Sequence, residues 1–187
     1  MRQLCQINNR HADSHDVLSI YDQVVDYQGM SITPKTPDEL IVSPDDVVGT
    51  LTQAFSIYKS VPEGLARAIF LQFLVSEWHP FDDGNGRLSR IMMNAELHAA
   101  GEYKLIVPTV HRDSYLNGLR KATRDGNFKT LVKVFYQLQR YTASIDWADY
   151  GEARDTLEAH KAHLLPDEGI ADFNRQIRQY RFTPPVT

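Results

Sequence analysis

The sequence predicts an all-α fold. Apolar residues recur at the spacing of helices in one segment after another along the chain. Helix start and stop signals border these segments, while sequence patterns typical of strands are scarce. The 187 residues, 42% of them hydrophobic and 24% charged, are enough for one domain with a sizeable core.

Three segments precede the middle of the chain. Residues 14–27 show helical spacing, with Ser14 as a plausible N-cap. Residues 28–42 combine glycine and prolines with short apolar pairs, which predicts an irregular loop or a small exposed hairpin. Residues 43–58 are predicted to be a helix, because Ser43-Pro44 is a good start signal and two acids follow in the first turn.

The middle of the chain holds the most apolar segment. A helix beginning at Pro62 is apolar nearly all round, so we expect it to be the buried central helix. His79-Pro80 should end it, since the residue before a proline avoids helical angles. After a glycine-rich turn at residues 84–86, another helix is expected to stop near Gly101.

Four further segments follow. Residues 102–111 are a connector, residues 113–123 and 128–145 have helical spacing, and residues 150–182 have a charged, moderately helical pattern. Breaks in that last segment are expected at Pro166 and Gly169.

Composition narrows the classes of function. The net charge of −4 argues against a protein that coats nucleic acid, so a nucleic-acid partner is not expected. Cys5 is the only cysteine, which excludes an intrachain disulfide and favours an intracellular, cytoplasmic location. We see no apolar signal-peptide core and no run near the ~18 apolar residues of a membrane span, so no membrane association is expected.

Residues 79–90, His-Pro-Phe-Asp-Asp-Gly-Asn-Gly-Arg-Leu-Ser-Arg, are the most informative run of the chain. Gly84 and Gly86 allow the backbone to approach a ligand closely, and the start of a helix binds phosphate through its free N–H groups. Arg87 and Arg90 lie three residues apart and so share one helix face. This combination is suited to a polyphosphate.

The same run contains a candidate metal ligand and a candidate base. Asp82 or Asp83 beside phosphates suits Mg²⁺, and His79 at the rim could take a proton from a hydroxyl at neutral pH. Each residue also has a simpler interpretation: a histidine that caps a helix, aspartates of a turn, and arginines on a solvated face. Their occurrence together, in this order, favours a magnesium-nucleotide site.

This run resembles the signature of Fic-domain proteins, His-x-Phe-x-(Asp/Glu)-Gly-Asn-Gly-Arg-x-x-Arg. We place the resemblance over about residues 27–140, within a domain at residues 1–145 that is followed by a C-terminal helical extension at residues 146–187. Residues 28–42 lie where that family carries a flap that docks the target chain by strand addition. The matched positions are His79, Phe81, Asp83, Gly84, Asn85, Gly86, Arg87 and Arg90.

The resemblance implies a Fic-type helical bundle, with a small flap before the core helices, that transfers AMP from ATP to a hydroxyl side chain of a target protein. It implies His79 as the general base and Asp83 as the Mg²⁺ ligand. Asn85, with the backbone of Gly84 and Gly86, would cradle phosphate, and Arg87 and Arg90 would clamp the β- and γ-phosphates. Tyr115 lies where the family often places an adenine-contacting aromatic residue, but a core tyrosine is an equal alternative.

Several alternatives stay open. The Gly-Asn-Gly turn favours AMP transfer over the phosphoryl transfer of the similar Doc-type kinases, but removal of AMP, or transfer of another nucleotide or of phosphocholine, would fit the same signature. A nucleotide- or partner-binding module without turnover is the non-enzyme alternative. A dimer is one open oligomeric state.

Many family members are restrained by a helix with the pattern (Ser/Thr)-x-x-x-Glu-(Gly/Asn), which this chain lacks. Glu63-Gly64 and Glu168-Gly169 are preceded four residues earlier by Lys59 and Leu164. We therefore expect the inhibitory helix in an N-terminal region outside this chain or in an antitoxin-like partner, in preference to an enzyme that is not regulated in this way.

Overall fold

The computed structural model describes residues 47–78 and 83–179. Over these two ranges it is helical and has no strand, which confirms the predicted all-α class. The predicted helix at residues 14–27, the predicted flap at residues 28–42 and the start signal at Ser43 lie outside the described residues.

Seven α-helices occur in the described ranges, and their order follows the sequence prediction closely. They are α1 (Val47–Tyr58), α2 (Leu65–Trp78), α3 (Asn85–Ala99), α4 (Arg112–Asp125), α5 (Lys129–Ala143), α6 (Tyr150–Ala159) and α7 (Pro166–Gln179), with a short 3-10 helix at Thr109–His111 directly before α4.

Helix α2 lies at the centre of the packing, as its apolar composition predicts. It packs along α3 and also contacts α1 and α5. Nine of its 14 residues are buried, and Ala68 and Ile69 are fully so. Phe73 extends this core to the start of α5, where its ring meets Phe128 edge-on at 4.6 Å between centroids. A central, buried α2 fixes where its C-terminal end meets the start of α3.

Helices α4 and α5 form a closely packed antiparallel pair. A Cβ added at Gly118 of α4 would lie 3.0 Å from the Cα atom of Leu131, so a larger residue there would push the two helices apart by a few tenths of an ångström. Leu131, Phe135 and Leu138 of α5 are completely buried. The pair therefore presents a rigid α4 to the rest of the domain.

Side chains of α3 and α5 hold the connector at residues 102–108 in place. The Asn94 amide donates to the carbonyl of Leu105 and accepts from its N–H, at 2.9 and 2.8 Å. On the other side, Thr142 Oγ1 accepts from the N–H of Ile106 at 3.1 Å. These bonds satisfy backbone groups of a segment that has no helix or sheet of its own.

The C-terminal helices pack onto the same core. Phe173 of α7 is fully buried, with its ring centroid 4.9 Å from Tyr141 and 5.6 Å from His111. The break expected at Pro166 is confirmed, because residues 160–165 are not helical and α7 begins at Pro166. Proline is tolerated in the first turn because those N–H groups have no helical partner. The break expected at Gly169 is wrong, since Gly169 lies inside α7.

Replacing Phe173 with Ala should destabilise the whole domain rather than release α7 alone. Loss of a fully buried aromatic ring typically costs about 3–5 kcal/mol. We expect one cooperative urea transition with its unfolding free energy lowered by that amount. Leu165→Ala, at a side chain that is 55% exposed, is the control and should change little. A loss below about 1 kcal/mol for Phe173→Ala would contradict this packing.

Two buried histidines should make stability fall in mild acid. Burial lowers the pKa of both His111 and His160 below the usual 6.5. The unfolded chain therefore binds protons first, and the free energy of unfolding should decrease as the pH falls below about 6.5, by up to about 1.4 kcal/mol per pH unit for each histidine. Urea denaturation at intervals of about one pH unit between pH 8 and pH 5 measures how the free energy of unfolding changes.

The slope should be smaller in His111→Gln than in the unchanged protein. His163 is exposed and supplies the matched control, since His163→Gln should leave the slope unchanged. Equal slopes for both variants would exclude His111 as a source of the pH dependence.

Candidate nucleotide site

The candidate site is built on the turn that begins α3. Gly84 is the N-cap residue and has a left-handed backbone, with φ +86° and ψ 0°. Its carbonyl accepts from the N–H groups of Arg87 and Leu88 at 3.0 and 2.9 Å. Gly84 itself has no side chain that could cap the helix. The start of a helix is where backbone N–H groups and the helix dipole favour an anion.

Both arginines of the run fold back over this first turn. A guanidinium nitrogen of Arg87 lies 3.5 Å from the position of a Cβ added at Gly84. A guanidinium nitrogen of Arg90 lies 3.6 Å from the corresponding position at Gly86. Two positive charges therefore flank the start of α3, an arrangement suited to a polyphosphate.

Asp83 and Arg87 form an ion pair at 3.0 Å. The two side chains are 92% and 72% exposed, so the pair contributes only about 0–1 kcal/mol. Phosphate could therefore displace the carboxylate from Arg87 at small cost. The exposed Asp83 carboxylate would then be available to another ligand.

Asn85 is placed differently from the neighbouring residues of the turn. It is buried, with 5% of its surface exposed, at the first position of α3. One turn later Ser89 is fully buried, and its hydroxyl donates to the carbonyl of Gly86 at 3.1 Å. These two polar side chains lie on the inner side of α3, under the turn that the arginines cover.

A cavity of about 580 Å³ opens beside Arg90 and Gly86. This volume is within the usual range of small-molecule sites, about 300–1,000 Å³. Its walls come from the end of α2, the connector with the 3-10 helix, and α4. The lining residues are Ser76, Glu77, Gly86, Arg90, Val107, Pro108, Thr109, Arg112, Tyr115, Leu116 and Leu119.

Tyr115 belongs both to the core and to the cavity wall. It is 4% exposed, its ring lies 5.6 Å from Phe135, and its hydroxyl accepts from the amide of Gln72 at 2.7 Å. The two alternatives that the sequence leaves open for this residue are thus compatible. Ser76 and Glu77 line the cavity as well, but no sequence signal pointed to them, because only the packing of α2 against α4 brings them there.

The remaining sequence-predicted site residues lie outside the described ranges. His79 follows directly after the last residue of α2, and neither it nor Asp82 is described. Among the described residues, no group of three or more His, Cys, Asp or Glu side chains could form a complete metal cage. Mg²⁺ does not need one, because it is usually held by one or two carboxylates together with phosphate and water. The single exposed carboxylate of Asp83 fits that donor chemistry.

In the described part of the chain, no helix has the length and apolar character to cross a membrane.

Comparison with known proteins identifies the family of this chain. The model of the Fic/DOC family matches residues 3–97, half of the 187-residue chain, and includes α2, the glycine turn and most of α3. The chain belongs to the Fic/DOC family. Membership agrees with the resemblance carried by the signature at residues 79–90.

Curated relatives carry the name protein adenylyltransferase Fic. The Aedes aegypti protein is 42% identical over 94 residues, which are 50% of this chain and 18% of that protein. The Drosophila mojavensis protein is 42% identical over 108 residues, 58% of this chain and 20% of that protein. The chain thus spans about a fifth of the length of these relatives. No solved structure matches it.

Arg90→Ala should weaken ATP binding without unfolding the domain. The side chain lines the cavity and lies over Gly86 rather than in the core. Loss of hydrogen bonds to a charged group should raise the Kd for ATP by roughly 10- to 100-fold. Calorimetric titration measures this, and Arg120→Ala on the exposed face of α4 is the control. A large drop in the melting temperature of ligand-free Arg90→Ala would instead indicate a structural role.

Proposed function

We propose that this chain is the catalytic region of a protein adenylyltransferase, which transfers AMP from ATP to a hydroxyl side chain of a target protein. The observation that carries the proposal is the pair of guanidinium groups folded over the Gly84–Gly86 turn, beside a cavity large enough for a nucleotide. The names of the relatives support AMP transfer, although these proteins are about five times longer than the matched segment.

In this proposal the start of α3 binds the triphosphate. The N–H groups of the first turn and the buried Asn85 hold phosphate oxygens, while Arg87 and Arg90 neutralise the β- and γ-phosphates. These two phosphates leave as pyrophosphate, so positive charge at this end stabilises the leaving group as its charge grows. The guanidinium of Arg87 lies on the side of Gly84 where a side chain would stand, so it is close to a phosphate bound at this turn.

The transfer step is an in-line displacement. The target hydroxyl oxygen attacks the α-phosphorus of ATP, a new P–O bond forms, and the bond between the α-phosphorus and its bridging oxygen to the β-phosphate breaks. His79 takes the hydroxyl proton, and pyrophosphate carries away the electron pair of the broken bond. In the sequence, His79 lies between the end of α2 and the glycine turn at residues 84–86.

Asp83 is the residue that would hold Mg²⁺ with the phosphates. When bound, the ion supplies positive charge that offsets the charge of the triphosphate and of the departing pyrophosphate. If phosphate displaces Asp83 from Arg87, the arginine would bind the phosphate. The carboxylate of Asp83 would then be available to the ion.

The proposed partners are the target protein and an inhibitory segment. The glutamate pattern that restrains many Fic proteins is absent from these 187 residues. We therefore place an inhibitory glutamate, directed at Arg90, in a separate partner or in sequence outside this chain.

Radiolabelled ATP tests the reaction directly. The protein is incubated with Mg²⁺ and a cell extract that supplies targets, once with ATP labelled on the α-phosphate and once with ATP labelled on the γ-phosphate. We expect labelled protein bands with α-labelled ATP only, and their loss in His79→Ala. His163→Ala, a change at an exposed histidine of the C-terminal region, is the matched control and should retain labelling.

Other labelling patterns have distinct meanings. Label from the γ-phosphate would indicate phosphoryl transfer and contradict the proposal. Labelling that persists in His79→Ala would exclude the proposed base. Absence of label together with measurable ATP binding would favour a binding module or the removal of AMP, and the latter is tested by release of AMP from a labelled protein.

A further inference from the structure

The cavity wall carries polar groups that triphosphate binding leaves unused. Arg90 and Gly86 mark the phosphate side of the cavity, whereas Ser76 and Glu77 from α2 and Tyr115 from α4 line it elsewhere. Among the described residues that line the cavity, Glu77 alone carries a carboxylate. A carboxylate in a site for a polyanion disfavours phosphate, so it should face another part of the ligand.

Glu77 is held in position by α4. The hydroxyl of Thr123, itself 6% exposed, donates to a Glu77 carboxylate oxygen at 2.7 Å and lies 3.0 Å from the carbonyl of Leu119. A carboxylate has about four acceptor sites, so it can accept from Thr123 and from a ligand together. The carboxylate is thus a fixed hydrogen-bond acceptor on the cavity wall.

Ser76 and Tyr115 are arranged as donors. The amide nitrogen of the fully buried Gln72 donates to both hydroxyl oxygens, at 3.0 Å for Ser76 and 2.7 Å for Tyr115. A hydroxyl that already accepts a hydrogen bond still has its own proton to donate. Since both residues line the cavity, at least one such proton can be directed towards a ligand.

An acceptor and hydroxyl groups that line the same cavity can complement one edge of adenine. Adenine carries an amine, which donates, beside a ring nitrogen, which accepts. Guanine carries a carbonyl oxygen in place of that amine, and this oxygen would face the carboxylate without a proton between them. The leucines at positions 116 and 119 supply apolar contacts for a ring.

We propose that Glu77 is a specificity-determining residue that selects adenine, accepting a hydrogen bond from its exocyclic amine while a Gln72-oriented hydroxyl donates to the adjacent ring nitrogen. This inference rests on the proposed function, because it assumes that the cavity beside Arg90 receives the base of a nucleotide. It assigns a role in substrate choice to residues outside the signature run.

Calorimetric titration with three nucleotides tests the proposal. The probes are ATP, GTP and purine riboside triphosphate, which is ATP without the exocyclic amine. For the unchanged protein we expect ATP to bind at least tenfold more tightly than either of the others. In Glu77→Gln, ATP should lose about tenfold, whereas the amine-free analogue should change little, because the partner of Glu77 is already absent.

The deciding result is whether the effect of Glu77→Gln depends on the exocyclic amine. A purely structural effect of Glu77→Gln would weaken the binding of ATP and of the amine-free analogue equally. Asp125→Asn, the same loss of charge at an exposed position of α4, should alter neither affinity. Melting curves verify that each variant folds. We expect Glu77→Gln to fold, because a glutamine at this position can still accept the hydrogen bond from Thr123.

The outcomes separate this inference from the proposed function. Preferential ATP binding with additive losses in Glu77→Gln, or an unchanged ATP-to-GTP preference, would overturn the role of Glu77 and leave adenylyl transfer standing. Tighter binding of GTP than ATP would overturn the adenine assignment. If the unchanged protein binds none of the three nucleotides, the nucleotide site itself is wrong and both proposals fall.

Discussion

The left-handed conformation of Gly84 is the constraint on which the candidate site depends. It lets the chain enter α3 through a residue that has no side chain of its own, at the helix start where phosphate is proposed to bind. It also leaves room for the guanidinium of Arg87 to fold back over the turn. Because Arg90 follows one helical turn later, the same entry geometry places it over Gly86.

The rest of the domain fixes what lies opposite this turn. Asn94 and Thr142 anchor the connector from two sides, and the connector forms one wall of the cavity. The 3-10 helix continues that wall into α4, and Phe173 of the C-terminal helix packs against its His111. The C-terminal region, which the family match does not include, thus supports the segment that lines the site from behind.

Helix class and order could be predicted from the sequence because they follow from local periodicity and from start signals. The arginines and glycines of the site could also be predicted from the sequence, because they form one short run in which each residue type suits phosphate binding. The break predicted at Gly169 was wrong, because a glycine inside a helix can serve close packing: a Cβ there would lie 3.0 Å from the side chain of Val110.

Long-range packing set the features that the sequence could not indicate. Nothing local marks Gln72 as the residue that joins Ser76 to Tyr115, since 43 positions separate it from the tyrosine. Glu77 and Thr123 are 46 positions apart and meet only because α2 lies against α4. The burial of Phe173 likewise depends on contacts with the 3-10 helix and α5, so the charged pattern around it suggested an appendage.

The most direct test compares alanine substitutions at the two ends of α3. Gly84 and Gly101 have φ of +86° and +73°, so Ala at either should cost a similar ~1–2 kcal/mol of stability. Among the described residues, an added methyl group would meet Arg87 at Gly84 and would have no neighbour within 4 Å at Gly101. Calorimetry should show at least a tenfold loss of ATP affinity for Gly84→Ala alone. Equal ATP affinity in the two variants would contradict the proposal that this turn binds the phosphates.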